Sequence, residues 1–257
     1  MIFLKIGYTK MKIITISLIL LFAAVLCSFE SKEDCFKELY QISKKYNKLP
    51  DKNQIYYYKL KIKNIMRNES YEDSESEVEI IMDRSTMHFK SDEMEIYIDK
   101  EVRITFLPNR KKIAIHNSFD VNNPFKRMKR LLTVRDTILE NSVILKCEYI
   151  NSEKGGNWGK KIKLRLGDDL YYPQANAILQ YNLDLNKDII RNITIEYPSP
   201  YKVRKTSVDV VNIDFDYQTN ELKKPVKSIF INNSNELKEE YKNYEFIDTR
   251  NKRIMNN

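Results

Sequence analysis

Asp184-Leu185-Asn186-Lys187-Asp188 places side-chain oxygens at the first, third and fifth positions of a loop, the opening of a calcium-binding turn. The pattern then fails. The sixth position is Ile189, where the sharp turn needs glycine, and the twelfth is Ile195, where a bidentate carboxylate would close the shell. The two histidines, His88 and His116, have no third ligand at metal-binding spacing, so both read as surface or pocket-edge residues. No GxSxG elbow marks a nucleophilic serine. Glu72, Asp73, Glu75, Glu77 and Glu79 form an acidic run that suits a solvated loop and strand face better than a catalytic carboxylate pair. Gly155-Gly156-Asn157-Trp158-Gly159 reads as a turn with Trp158 at its tip, where it could touch a ligand or a membrane surface. No enzyme, metal site or cofactor is expected; a non-enzymatic binding or interaction protein is.

Composition narrows the partners. The chain has 257 residues with 44 basic and 36 acidic side chains. Three of the basic ones, Lys5, Lys10 and Lys12, lie in the first 27 residues, and the remainder carries about +5, too little to argue for nucleic acid. Five glycines leave no room for Gly-rich phosphate loops or linkers. The basic stretch Lys126, Arg127, Lys129 and Arg130 would suit either solvent or anionic headgroups at a membrane surface.

Ile13 to Leu26 is almost wholly apolar, short for a spanning helix and the right length for a secretory core. With the lysines before it and Ala23, Ala24, Cys27 and Ser28 near its end, residues 1–27 read as an export signal, with Met11 an alternative start. Cys27 stands where a bacterial lipoprotein carries its acylated cysteine, although the preceding Leu26 is large; lipidation at Cys27 and simple cleavage beside it both remain open. Cys35 and Cys147 are then left either to pair in an oxidising compartment or to stay as buried thiols.

These features must be carried by a frame that is mostly β. Ser31 with Asp34 starts a helix whose stripe is Phe36, Leu39, Tyr40 and Tyr46, ending before Pro50. The period then changes from 3.6 to 2. Tyr56, Tyr58, Leu60 and Ile62 alternate with lysines; Val78, Ile80 and Met82 with glutamates; Met94, Ile96 and Ile98 with acids; Ile104 and Phe106 with Arg103 and Thr105. A second helix is expected from Asn123-Pro124 through Ile138, then strands around Val143–Tyr149, Ile162–Leu166, Leu179–Leu185, Ile193–Tyr197 and Val211–Tyr217. Residues 234–250 read as a short helix followed by a strand at Tyr244–Ile247. About eleven one-sided strands imply one large curved antiparallel sheet, unclosed, covered by two or three helices. Its apolar face is either a filled core or an open hollow for a greasy ligand; alternation alone favours the filled core.

The order of elements resembles the LolA/LolB lipoprotein-localisation superfamily. The resemblance runs through Ile55-Tyr56-Tyr57-Tyr58-Lys59-Leu60, Val78 to Phe89 with Asp83-Arg84 at the turn, Met94 to Ile115, and the closing hairpins at Leu183–Leu185, Ile193–Ile195 and Val211–Phe215. It implies a half-barrel domain over residues 28–230, with 231–257 as an additional tail, and an acyl chain, lipid or acylated lipoprotein held on an inner face. That face would be made by Tyr56, Tyr58, Leu60, Ile62, Val78, Ile80, Met82, Met94, Ile96, Ile104 and Phe106. It further implies a carrier or receptor in the periplasm or outer membrane of a Gram-negative bacterium. The family's lid-locking arginine and small-residue lid have no counterpart on the residues here. The alternative is a periplasmic or surface interaction module with a filled core and no lipid ligand.

Overall fold

The computed structural model describes residues 32–118, 141–151, 157–167 and 176–250. The leader with Cys27, Ser31, the helix expected over 123–138 with its basic stretch 126–130, and Gly155-Gly156 lie outside the described residues.

Helix α1 (Lys32–Asn47) is followed by six strands: β1 (Tyr56–Met66), β2 (Ser74–Met82), β3 (Met87–Ser91), β4 (Glu95–Ile98), β5 (Val102–Leu107) and β6 (Lys112–Asn117). Then come β7 (Ser142–Asn151), β8 (Asn157–Leu166), β9 (Ile178–Asp184), β10 (Ile189–Glu196) and β11 (Val203–Asp214), a one-turn helix α2 (Lys227–Phe230) and β12 (Glu245–Asp248). All twelve strands form one sheet, in the order β12-β6-β5-β4-β3-β2-β1-β11-β10-β9-β8-β7. Its two ends do not pair, so the half-barrel is open. Two antiparallel meanders meet where the long β1 and β11 lie side by side.

Short side chains set the hairpins. Asp83 accepts the backbone N–H groups of Ser85 and Thr86, and Asp99 those of Glu101 and Val102, so each carboxylate replaces a backbone turn bond. The tail departs from the sequence expectation. Residues 239–241 make only a 3₁₀ turn, and β12 joins β6 in parallel, so the sheet is mixed rather than wholly antiparallel. The tail strand therefore belongs to the same sheet as the strands before it.

Residues paired across antiparallel strands point to the same face. The register therefore divides the molecule into a face carrying α1, the helix face, and a face carrying the C-terminal segment, the tail face. The helix-face core joins Cys35, Leu39 and Ile42 of α1 to Ile144, Ile162, Leu164, Leu179, Leu183 and Ile190. The tail-face core joins Val102, Ile104, Ile113 and Ile115 to Val226, Phe230 and Ile231.

This corrects the placement of Ile104 and Phe106. Asp99 N–H bonds the carbonyl of Val102, closing a two-residue turn at Lys100-Glu101. The turn sets Thr105 opposite Ile96 and Ile104 opposite Tyr97. A register set this way decides the face for the whole strand, so Ile104 and Phe106 pack beneath the tail, away from Ile80 and Ile96.

Candidate functional site

On the helix face, α1 closes one half of the sheet. Cys35 in the helix and Cys147 in β7 are joined by a disulfide with Cα atoms 6.4 Å apart, across a sequence separation of 112 residues. Tyr46, at the other end of the helix, accepts the N–H of Ile190 at 2.7 Å and packs edge-on against Phe215. Burial pushes its phenol up to about 12. Lys160 of β8 is fully buried beneath the helix, its ammonium 2.5 Å from the Glu38 carboxylate and 4.6 Å from the centre of the Tyr149 ring.

Beyond the helix the same face continues as an apolar floor. One row runs in register Ile213, Tyr58, Ile80, Phe89, Ile96 and Thr105 across six adjacent strands. A second runs Tyr56, Met82, Met87, Ile98 and then Arg103. Tyr56, Val78 and Met82 are buried, whereas Tyr58, Leu60, Ile62, Ile80, Phe89, Ile96 and Ile98 are each only half-buried. Of the residues expected here, Tyr56, Tyr58, Leu60, Ile62, Val78, Ile80, Met82 and Ile96 stand on the strands of this face. Met94 lies instead in the β3–β4 turn, where its carbonyl accepts the Ser91 N–H. Phe89, Met87 and Ile98 complete the floor, which alternation shows only once the strand register is known.

Arg103 is the polar member of this face. It stands opposite Ile98 on one side and His116 on the other, and its Nε is buried without a hydrogen-bond partner. Among the described residues no carboxylate pairs with it. Burial, and then the neighbouring Arg103 charge, hold His116 below the usual imidazole range. Thr249 holds the other side of that ring, its hydroxyl 2.7 Å from Nδ1. In the sequence Arg103 looks like the wet alternate of a one-sided strand.

Among the described residues, the tail face carries cavities of which two stand out. One, of about 680 Å³, is lined by His88, Glu95, Tyr97, Glu221 and Leu222 among others. His88 stacks on Tyr97 at 4.1 Å between the carboxylates of Glu95 (3.2 Å) and Glu221 (3.5 Å). The bond from His88 first, and that from Tyr97 next, hold Glu95 below the usual carboxylate range. The other, of about 770 Å³, is lined by Trp158, Arg191, Gln180, Asn182, Asn192 and Asp209 among others. Trp158 lies within β8 rather than at a turn tip, with the Arg191 guanidinium 5.4 Å from its ring centre. Neither cavity is lined by the residues expected to bind ligand.

The rejected calcium loop is a β9–β10 turn. Asp184 accepts the N–H groups of Asn186 and Lys187 and the Arg191 guanidinium, which outweigh its burial and leave its carboxyl below the usual range. Asp188 pairs instead with Lys45 of α1.

No family model matches the chain, and no curated protein does. Solved structures similar to this open, β-rich half-barrel include three of note. An uncharacterised conserved protein from Thermus thermophilus is 9% identical, with 84% of this chain and 99% of that one covered and a TM-score of 0.42. A LolA superfamily protein from Nitrosomonas europaea is 8% identical, covering 72% and 97% with a TM-score of 0.33. A putative outer membrane lipoprotein-sorting protein domain from Vibrio parahaemolyticus is 11% identical, covering 72% and 94% with a TM-score of 0.33.

Proposed function

We propose that this protein is an exported, non-enzymatic binding protein of the bacterial envelope that holds one acyl chain, of a lipid or an acylated lipoprotein, along the helix face beyond α1. The supporting observation is the row Ile213, Tyr58, Ile80, Phe89 and Ile96. Five adjacent strands each contribute an apolar side chain at one level, and none of the five is fully buried. At about 4.8 Å per strand the row is roughly 19 Å long, a length that suits an extended acyl chain. Affinity would come from burying apolar surface at about 25 cal/mol per Å². Native mass spectrometry of the secreted chain, purified without detergent, tests the reading. Lipid-mass adducts should be present, and should be lost in Leu60→Glu and Ile80→Glu variants that still unfold cooperatively in urea, at a lower midpoint. A bare polypeptide that takes up no added phospholipid or acyl peptide would refute it.

The second reading is an interaction module working through the β7 edge. It is favoured by Val143 (52% exposed) and Leu145 (41%), which leave an apolar surface on a ten-residue edge strand. In that case the adducts are absent and Val143→Lys abolishes partner capture.

A further inference from the structure

The apolar floor has a charged end. The row Tyr56, Met82, Met87 and Ile98 passes in register to Arg103, on the same face as the acyl row and one residue pair away from it along each strand. A cation whose Nε is buried without a partner is costly unless something supplies the missing acceptor. The described residues do not supply it. No described carboxylate pairs with Arg103, and the facing titratable group, His116, is held by Thr249 on its Nδ1 side. Among the described residues, the charge that the register sets at this end of the floor is the Arg103 guanidinium, whose planar fork of donors matches an oxyanion in two-point contact.

We infer that Arg103 receives the anionic headgroup of the bound amphiphile, a carboxylate or a phosphate monoester, while its chain lies along the Met87–Ile98 and Phe89–Ile96 pairs. The inference rests on the acyl-chain reading above and adds the class of lipid: the protein selects anionic single-chain amphiphiles over neutral ones of equal length. An oxyanion at Arg103 would occupy the orphaned Nε, and a neutral hydroxyl would leave the charge uncompensated.

Isothermal titration of the secreted full chain with dodecanoate, dodecyl phosphate and dodecanol provides the test. Dodecanoate or dodecyl phosphate should bind at least about tenfold tighter than dodecanol, as charge-assisted bonds do over neutral ones. The order of the two anions identifies the headgroup. Arg103→Gln should remove this preference, with circular dichroism matching the parent chain to show that the variant is folded; Arg103→Lys should retain part of it. Equal affinity for all three ligands, or a preference that survives Arg103→Gln, would overturn the headgroup assignment and leave the apolar floor standing. Failure of all three to bind would overturn both.

Discussion

The two ends of this sheet solve the same burial problem on opposite faces. At the β7–β10 end, α1 covers the helix face and is fixed there by a covalent bond and by the ion pair of Glu38 with the buried Lys160. At the β4–β6 end the cover lies on the tail face, and consists of one-turn pieces held by aromatic contacts. Phe230 there packs on Tyr97, Phe106 and Tyr241 with ring centres 5.0–5.4 Å apart. The side being buried therefore changes midway along a single sheet. The changeover falls on β1–β3, where apolar residues of the helix face remain half-buried. A sheet covered on one face from end to end would be a filled core. A sheet whose cover changes face leaves a stretch of apolar surface at the crossing point, and that stretch is where the proposed ligand would lie.

The comparison can be broken most severely at the disulfide. Replacing Cys35 and Cys147 together by serine removes a cross-link over more than 100 residues, which should cost about 3–5 kcal/mol in urea unfolding. The loss should be felt first in the hydrogen-exchange protection of α1, not of β12. The matching cut at the other end is Phe230→Ala, worth about 3–4 kcal/mol for an aromatic side chain only 1% exposed, with loss of protection confined to β5, β6 and β12. Glu38→Ala removes the carboxylate partner of the buried Lys160 ammonium, and about 1–2 kcal/mol should go with it. Lys160→Met in the same background should restore most of that loss. If Lys160→Met restores nothing, the pair is not what holds α1 down.

The smallest effect sharpens the comparison by pH. Glu95 at the tail end and Asp184 at the helix end both have carboxyl groups depressed below their unfolded values. Each contributes stability that is present above the unfolded carboxylate range and lost as pH falls through the lower folded value. Acid unfolding of Glu95→Gln should therefore be flatter than wild type, with the difference confined to pH below that range. A titration that runs parallel to wild type would show that the His88 contact contributes nothing to folding.

Much of this frame is written in alternation. The β1 and β2 patterns give the helix-face residues directly, because each of those strands has one lysine- or glutamate-bearing side and one apolar side. β4 is different: Tyr97 packs into the tail-face core, opposite Ile96 and Ile98, so a strand apolar on both sides carries only a weak phase. The phase of β5 then depends on the length of the Lys100-Glu101 turn, a local fact with consequences for every residue after it. Ile104 and Phe106 land on the tail face for that reason. Arg103 is illegible on the same ground, since a charged residue in a one-sided strand looks solvated until its neighbours across the register are known. The Cys35–Cys147 bond lies at the limit of legibility: the sequence offers two cysteines that could pair, and only the docking of α1 on β7 brings them together. The tail strand is legible, but its parallel pairing with β6 is not, because nothing local distinguishes a parallel edge from an antiparallel one.

The disulfide also decides how the molecule carries mechanical load. Strands β1 to β6 all lie inside the covalent loop between Cys35 and Cys147. A pull on the chain ahead of Cys35 passes through the sulfurs into β7 and never reaches those six strands by way of the backbone. Force from the N-terminal side is thus delivered to the β7 edge of the sheet. The apolar floor on β1–β4 lies outside that covalent path.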